Sequence, residues 1–141
     1  MKKLFLYIWQ LPQHLLALFI LKLINRGVSI KEKWFGRYVY YVKYGVFNCG
    51  VSLGNYIILQ NSFNLKNNTI DVIKHKVGHS KQSLIFGWFY LLLVGLPSVI
   101  NNITDMLFHK KWDYEKRRNW YFSQYPEKWA DKLGGVFGRI W

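Results

Sequence analysis

Cysteine is almost absent: Cys49 is the only one in 141 residues, which rules out an intramolecular disulfide and a four-cysteine zinc module. A cytosol-facing location accords with that. Acidic residues are scarce as well. Seven carboxylates (Glu32, Asp71, Asp105, Asp113, Glu115, Glu127 and Asp131) stand against 20 Lys and Arg, a formal charge of +13. Such a surface seeks phosphate, whether on anionic lipid headgroups or on nucleic acid. There is no glycine-rich phosphate loop, nucleophile elbow, dinucleotide fingerprint or paired Cys-His zinc spacing, and no internal repeat or low-complexity tract. No A-x-A-like cleavage site follows the opening MKKLFLYIW, so this run reads as retained rather than as a signal peptide.

What the chain does have is apolar and aromatic mass: 51% hydrophobic and 19% aromatic residues, rich in the rings that favour membrane interfaces. Residues 4–24 form an apolar stretch of near-spanning length, interrupted by Gln10, Pro12, Gln13 and His14 and so readable as two half-helices. Residues 84–100 form a second, free of charge and interrupted by Gly95 and Pro97, which is spanning, re-entrant or kinked. Two positive charges precede the first stretch, ten lie between Lys22 and Lys81, and eight follow. Two full crossings would set ten charges against ten, so the positive-inside rule favours neither orientation. A simpler arrangement keeps all polar segments on the cytoplasmic face and dips both stretches into the bilayer.

Between them, residues 25–37 read as a basic, turn-rich segment. Residues 38–60, β-branched and aromatic with Gly45, Gly50 and Gly54 as punctuation, read as a short antiparallel β-meander. Residues 61–68 read as a polar turn. Thr69 is a suitable N-cap for a His-bearing helix over 69–83, and a C-terminal helix is expected over 126–133, ended by Gly134 and Gly135. The expected fold is therefore an α+β membrane protein of one domain, 1–141.

Chemistry concentrates in His75-Lys76-Val77-Gly78-His79. Histidines at i and i+4 project from one helix face at a separation suited to one metal ion, although such a pair also arises as two ordinary solvated imidazoles. A second cluster, Glu127-Lys128-Trp129-Ala130-Asp131, lies on the expected C-terminal helix beyond the second apolar stretch.

The order H-x-x-G-H, an apolar hairpin or span, then E-x-x-A-D resembles the membrane-embedded gluzincin metalloproteases, the group that contains the CAAX prenyl proteases and the bacterial heat-shock membrane protease. The resemblance covers roughly residues 70 to 135 and about six motif positions. The chain is also similar to small bacterial membrane proteins with a run like GHSKQSLIFGWFYLLLVGLPS before EKWADKLGG. The protease resemblance implies zinc held by His75, His79 and Glu127, with Asp131 orienting a ligand from the outer shell, and a peptide or lipidated peptide as substrate. It further implies a place in the bacterial inner membrane, against anionic headgroups, with basic regions towards the cytoplasm.

The departure is at position 76. The protease pattern has there a glutamate that takes a proton from the attacking water, and this chain has Lys76. An ammonium so close to a divalent ion, at an effective dielectric of about 20, meets several kcal/mol of repulsion, so Lys76 must deprotonate or swing aside. A neutral Lys76 acting as the base would be an unusual replacement. Asp71, one turn before His75 on the same face, is an alternative base or ligand, or simply a first-turn charge favouring the helix N-terminus. The expected function is a membrane metallopeptidase-like protein with a degenerate site, against a non-enzymatic membrane binding or scaffold protein with a vestigial one. Nucleic acid is disfavoured as a partner by the long apolar stretches and the lack of any recognised motif. His14 reads as marking a helix break, His109 and the KRR run at 116–118 as lipid-facing basic residues, and Glu32, Asp105, Asp113 and Glu115 as solvated charges.

Overall fold

The apolar N-terminal stretch breaks at Gln10. In the computed structural model, which describes residues 1–24, 30–43, 50–60 and 69–137, helix α1 (Lys2–Trp9) and helix α2 (Leu11–Phe19), the latter continued by a wider helical turn over Ile20–Ile24, meet at a bend of 69°. Pro12 in the first turn of α2 supports the new start, since a proline there gives up an N–H that has no helical partner. Cys49, Gly45 and the polar turn expected over 61–68 lie outside the described residues, as do residues 25–29 of the basic segment.

Four strands follow: β1 (Ile30–Trp34), β2 (Arg37–Val42), β3 (Val51–Leu53) and β4 (Tyr56–Gln60), in the order β1-β2-β4-β3. Two features differ from the expected meander. The basic segment before residue 38 contributes β1, joined to β2 by a two-residue turn in which Phe35 and Gly36 both have positive φ, as a tight hairpin of that hand requires. Phe-Gly is not a familiar signal for such a turn, and lysines mask the alternation in Ile30–Trp34. The sheet is also mixed: β2 runs parallel to β4, which inserts between β2 and β3. Gly54, at positive φ in the β3–β4 turn, has the ring of His14 packed against it with no room for a Cβ.

Strand alternation sends Val39, Tyr41, Ile57 and Leu59 to one face, against Val72, Ile73 and Val77 of helix α3 (Thr69–Phe86). The other face carries Val42, Leu53 and Ile58 against Ala17 and Ile20 of the N-terminal pair and Tyr90 and Val94 further on. The sheet is thus a middle layer, and α3 is fixed to it by Ser52 Oγ donating to the Lys76 carbonyl (2.9 Å) and Ser80 Oγ donating to the Gly54 carbonyl (2.6 Å).

The second apolar stretch, residues 84–100, is divided among several helical segments. Residues 84–86 end α3, Gly87 turns the chain at positive φ where the Trp9 ring leaves no space for a Cβ, and a wide turn over Leu91–Gly95 leads into α4 (Leu96–Phe108). The part long and apolar enough to cross a bilayer is Leu91–Phe108, of which only 6% is buried. The polar residues that interrupt the first stretch turn inward and do not face out with its leucines. Gln10, Gln13 and His14 are fully buried. Ser83 Oγ donates to Gln10 Oε1 (2.8 Å), Trp9 Nε1 donates to the Leu84 carbonyl (3.0 Å), and Gln13 Nε2 donates to the Gly87 carbonyl. His14 therefore sits a turn inside α2, accepting from the Asn55 N–H (3.2 Å), and not at the break itself.

Helix α5 (Tyr114–Ser123) is capped by Asp113, which accepts from the Lys116 N–H (2.8 Å). Asp105 has more than a solvated role: it takes Arg117 Nη2 at 2.6 Å and joins α4 to α5. Helix α6 (Glu127–Gly134) ends at Gly135 in the left-handed conformation, as a glycine C-cap should.

Candidate metal centre

Helices α3 and α6 run antiparallel at very close range, and their small residues are the reason. A Cβ on Gly78 would strike the Ala130 carbonyl, and one on Gly134 would strike the Lys74 carbonyl. The contacts Lys74 with Gly134, Gly78 with Ala130 and Gln82 with Pro126 step by four residues along each helix in opposite senses. That spacing keeps one face of α3 against one face of α6. On those faces it places His75 and His79 opposite Glu127 and Asp131.

Glu127 Oε2 lies 3.0 Å from His75 Nε2 and 3.0 Å from His79 Nε2. All three residues are buried, and their ligand atoms fall within 4.8 Å of one another. The outer nitrogens decide what this cluster is. His75 Nδ1 is 2.7 Å from Asp131 Oδ1, a carboxylate oxygen that only accepts, so Nδ1 carries the proton. His79 Nδ1 is 2.8 Å from Gln82 Oε1. The Gln82 amide is itself oriented by its Nε2 donating to the Pro126 carbonyl (3.0 Å), so Oε1 faces the histidine and that Nδ1 is protonated too.

In the neutral imidazoles, both Nε2 atoms then present lone pairs to an oxygen that also presents lone pairs. Three acceptors converge on one point, a repulsive arrangement that only a cation resolves. Protons on both histidines are one resolution and a metal ion is the other. Burial pushes the His79 imidazole down, and the nearby Glu127 charge and hydrogen bond only partly offset this. Burial alone would push the Glu127 carboxyl up, but the charge and hydrogen bonds that protonated imidazoles offer it, His79 foremost, outweigh this and hold Glu127 well below the usual carboxylate range. Both directions favour a carboxylate and a neutral His79 imidazole, the protonation states that a metal requires. Ligands about 2.0–2.1 Å from a tetrahedral zinc stand about 3.3–3.4 Å apart, close to the two 3.0 Å separations found.

The other carboxylate oxygen of Glu127 accepts from Ser98 Oγ of α4 at 2.5 Å, and Asn102 Nδ2 donates to the Ser98 carbonyl (3.2 Å) and to the Tyr121 hydroxyl (2.8 Å). Phe122 sets its ring edge-on to His75 at 5.2 Å. Gln82 and Ser98 orient the site and are not among the sequence candidates. Gln82, three residues after His79 on one helix, is findable by spacing, whereas Ser98, inside an apolar run, gives no signal until the fold is known.

The sequence candidates separate accordingly. His75, His79 and Glu127 come together, and Asp131 lies against His75 as an orienting partner. Asp71 is half-buried one turn before His75 and is not part of the three-residue group. Lys76 is buried and lines, with His79, Ser98, Tyr90 and Tyr121, a cavity of about 350 Å³ beside the cluster. His109 is half-buried and stacks on Trp112 with ring centroids 3.8 Å apart, remote in sequence and in contact from this group.

Removing the Asp131 carboxylate by Asp131→Ala frees His75 to rotate and to change tautomer. The expected result is a drop in zinc affinity of about 10–100-fold, measured by competition against a chromophoric chelator. An unchanged affinity would show that Asp131 does not orient the ligand. Comparison of the chain with protein-family models, with curated proteins and with solved structures finds no match.

Proposed function

We propose that this chain is a small membrane metallopeptidase-like protein in which zinc is held by His75, His79 and Glu127 and hydrolysis is degraded by Lys76 at the position of the general base. The observation that carries the metal half of this reading is the convergence of two imidazole lone pairs and a carboxylate oxygen, with both outer nitrogens committed to acceptors. Zinc, when bound, supplies Lewis-acid polarisation of a carbonyl. The chain's own residues do the rest: Asp131 and Gln82 keep each imidazole in the ligating tautomer, Ser98 keeps Glu127 turned to the histidines, and the apolar wall of the adjacent cavity keeps water scarce.

The membrane half rests on outward-facing apolar surface. Leu4, Phe5 and Ile8 of α1, Leu15 and Phe19 of α2, and Leu96, Ile100, Ile103 and Leu107 of α4 are all about half exposed or more. So many exposed apolar side chains fit a surface that meets a membrane, and anionic headgroups suit the +13 charge. The protein is expected to stay with membranes through washing in about 1 M salt, where exposed charge pairing is screened within about 3 Å, and to be released by detergent. Release by salt alone would refute insertion.

Lys76 favours a second reading, a non-enzymatic membrane binding or scaffold protein that retains the centre without turnover. Lys76→Glu separates the two. If the site is otherwise intact, this variant is expected to cleave a generic fluorogenic peptide library at a rate at least about 100-fold above wild type, the usual lower worth of a positioned general base. Zinc retained without any gain in cleavage would favour the non-enzymatic reading.

A further inference from the structure

Lys76 is only 8% exposed and its side chain faces the cavity of about 350 Å³. No Asp or Glu lines that cavity. Among the described residues Lys76 makes no ion pair, and Glu127 is committed to His75, His79 and Ser98. The Lys76 side chain thus presents a cation without a counter-ion to that cavity, a place for an anion that arrives from outside.

The remaining wall indicates what that anion is attached to. Leu16 and Ile20 of the N-terminal pair, Leu91 and Val94 of the turn before α4, and Leu96 and Val99 of α4 form its apolar side. Leu16, Leu96 and Val99 are 38%, 49% and 37% exposed, so the cavity rim runs directly into the outward apolar faces of α2 and α4. A hydrocarbon chain can therefore enter from the side on which the protein is apolar. The volume lies within the range of small-molecule sites, near its lower end.

The geometry points to this cavity as a binding site for a long-chain carboxylate, its head paired with Lys76 and its chain laid against α2 and α4. Among the described residues of the wall Lys76 is the one lysine or arginine, and a single ammonium matches a monoanion better than a phosphate, which calls for more donors. The site needs Lys76 and the apolar wall but no bound metal, so it stands apart from the zinc reading. It also gives lysine at position 76 a positive role: the residue that stands in place of the general base supplies the head-group contact.

The test uses the full chain in nanodiscs of zwitterionic phosphatidylcholine, treated with chelator, titrated calorimetrically with dodecanoate, dodecyl phosphate and dodecanol. Saturable one-to-one binding of dodecanoate is expected, about tenfold or more tighter than dodecanol. It should be weakened about tenfold or more in Lys76→Met, kept in Lys76→Arg, and lost in Val99→Trp, which blocks the rim without touching the charge. Four results would overturn the proposal: equal binding by wild type and both Lys76→Met and Val99→Trp, dodecanol as tight as dodecanoate, dodecyl phosphate tighter than dodecanoate, or binding that appears only when zinc is restored. The last of these would place the head at the metal while leaving the zinc centre itself supported.

Discussion

Gly78→Leu is expected to abolish metal binding although residue 78 donates nothing to the metal. A Cβ there already lies inside the van der Waals envelope of the Ala130 carbonyl, and the obstacle is backbone, which cannot swing away as a side chain would. Helix α6 must retreat by roughly 1 Å or more, and a ligand set tolerates departures of only about 0.2 Å. Glu127 and Asp131, both on α6, are carried off the histidines together. Overpacking of this kind costs about 1–3 kcal/mol in a well-packed core, so a lowered melting temperature should accompany the loss of zinc. Gly95→Ala is the matched control. The nearest atom to its added Cβ is 3.7 Å away, at ordinary contact distance, and alanine is favoured over glycine inside a helical segment by roughly 0.5–1 kcal/mol. It should bind zinc normally and melt no lower than wild type. Normal zinc binding by Gly78→Leu would mean that the close approach of α3 and α6 does not build the site.

Glu127→Gln is expected to act in opposite directions on metal binding and on metal-free stability. The substitution keeps the volume of the side chain but removes the negative ligand. The zinc affinity should fall further than the roughly 100-fold expected from losing an orienting partner. In chelator above about pH 8, where burial keeps the His79 imidazole neutral, the same change replaces an oxygen facing the His79 Nε2 lone pair with an amide that can donate to it. A net gain of about 1 kcal/mol is expected, seen as a raised melting temperature. As the pH falls and His79 protonates, the wild-type carboxylate gains a charged partner that an amide cannot match. The order then reverses, and the Glu127→Gln chain becomes the less stable of the two. A stability loss at high pH in the absence of metal would mean that the histidines there carry protons and that the tautomers assigned through Asp131 and Gln82 are wrong.

Much of the cluster is legible in the sequence because its spacing is local. His75 and His79 share a face by helical period, and Glu127 and Asp131 do likewise, so each half can be read from its own helix. That the halves meet depends on Gly78, Ala130 and Gly134, whose smallness is meaningful only when a second helix is known to lie against them. Ser98 is the clearer omission. In sequence it is one hydroxyl in an apolar run, and its bond to Glu127 depends on where Gly87 and the wide turn over Leu91–Gly95 direct α4.

The same limit applies to the fold. Alternation marks β2 and β4, but sheet order is a long-range property, and nothing local distinguishes an antiparallel meander from β4 inserted beside β2 in parallel. Polar residues within the first apolar stretch read as a break. The break is there, at Gln10, but Gln13 and His14 belong to the packing of α2 on Gly54 and Gly87. Lys76 reads from sequence as an obstacle to a metal. Its burial in a cavity wall without an acidic partner gives it a second aspect that one dimension does not contain.

If His75, His79 and Glu127 form a site built for a cation, the purified protein should contain metal. Protein purified in mild detergent without added metal or chelator, analysed for elements alongside His75→Ala, is expected to carry about one zinc per chain, and the variant is expected to carry none. A folded wild-type protein that contains no metal, and takes up none on dialysis against zinc, would contradict the account and leave the three side chains as a buried hydrogen-bonded cluster.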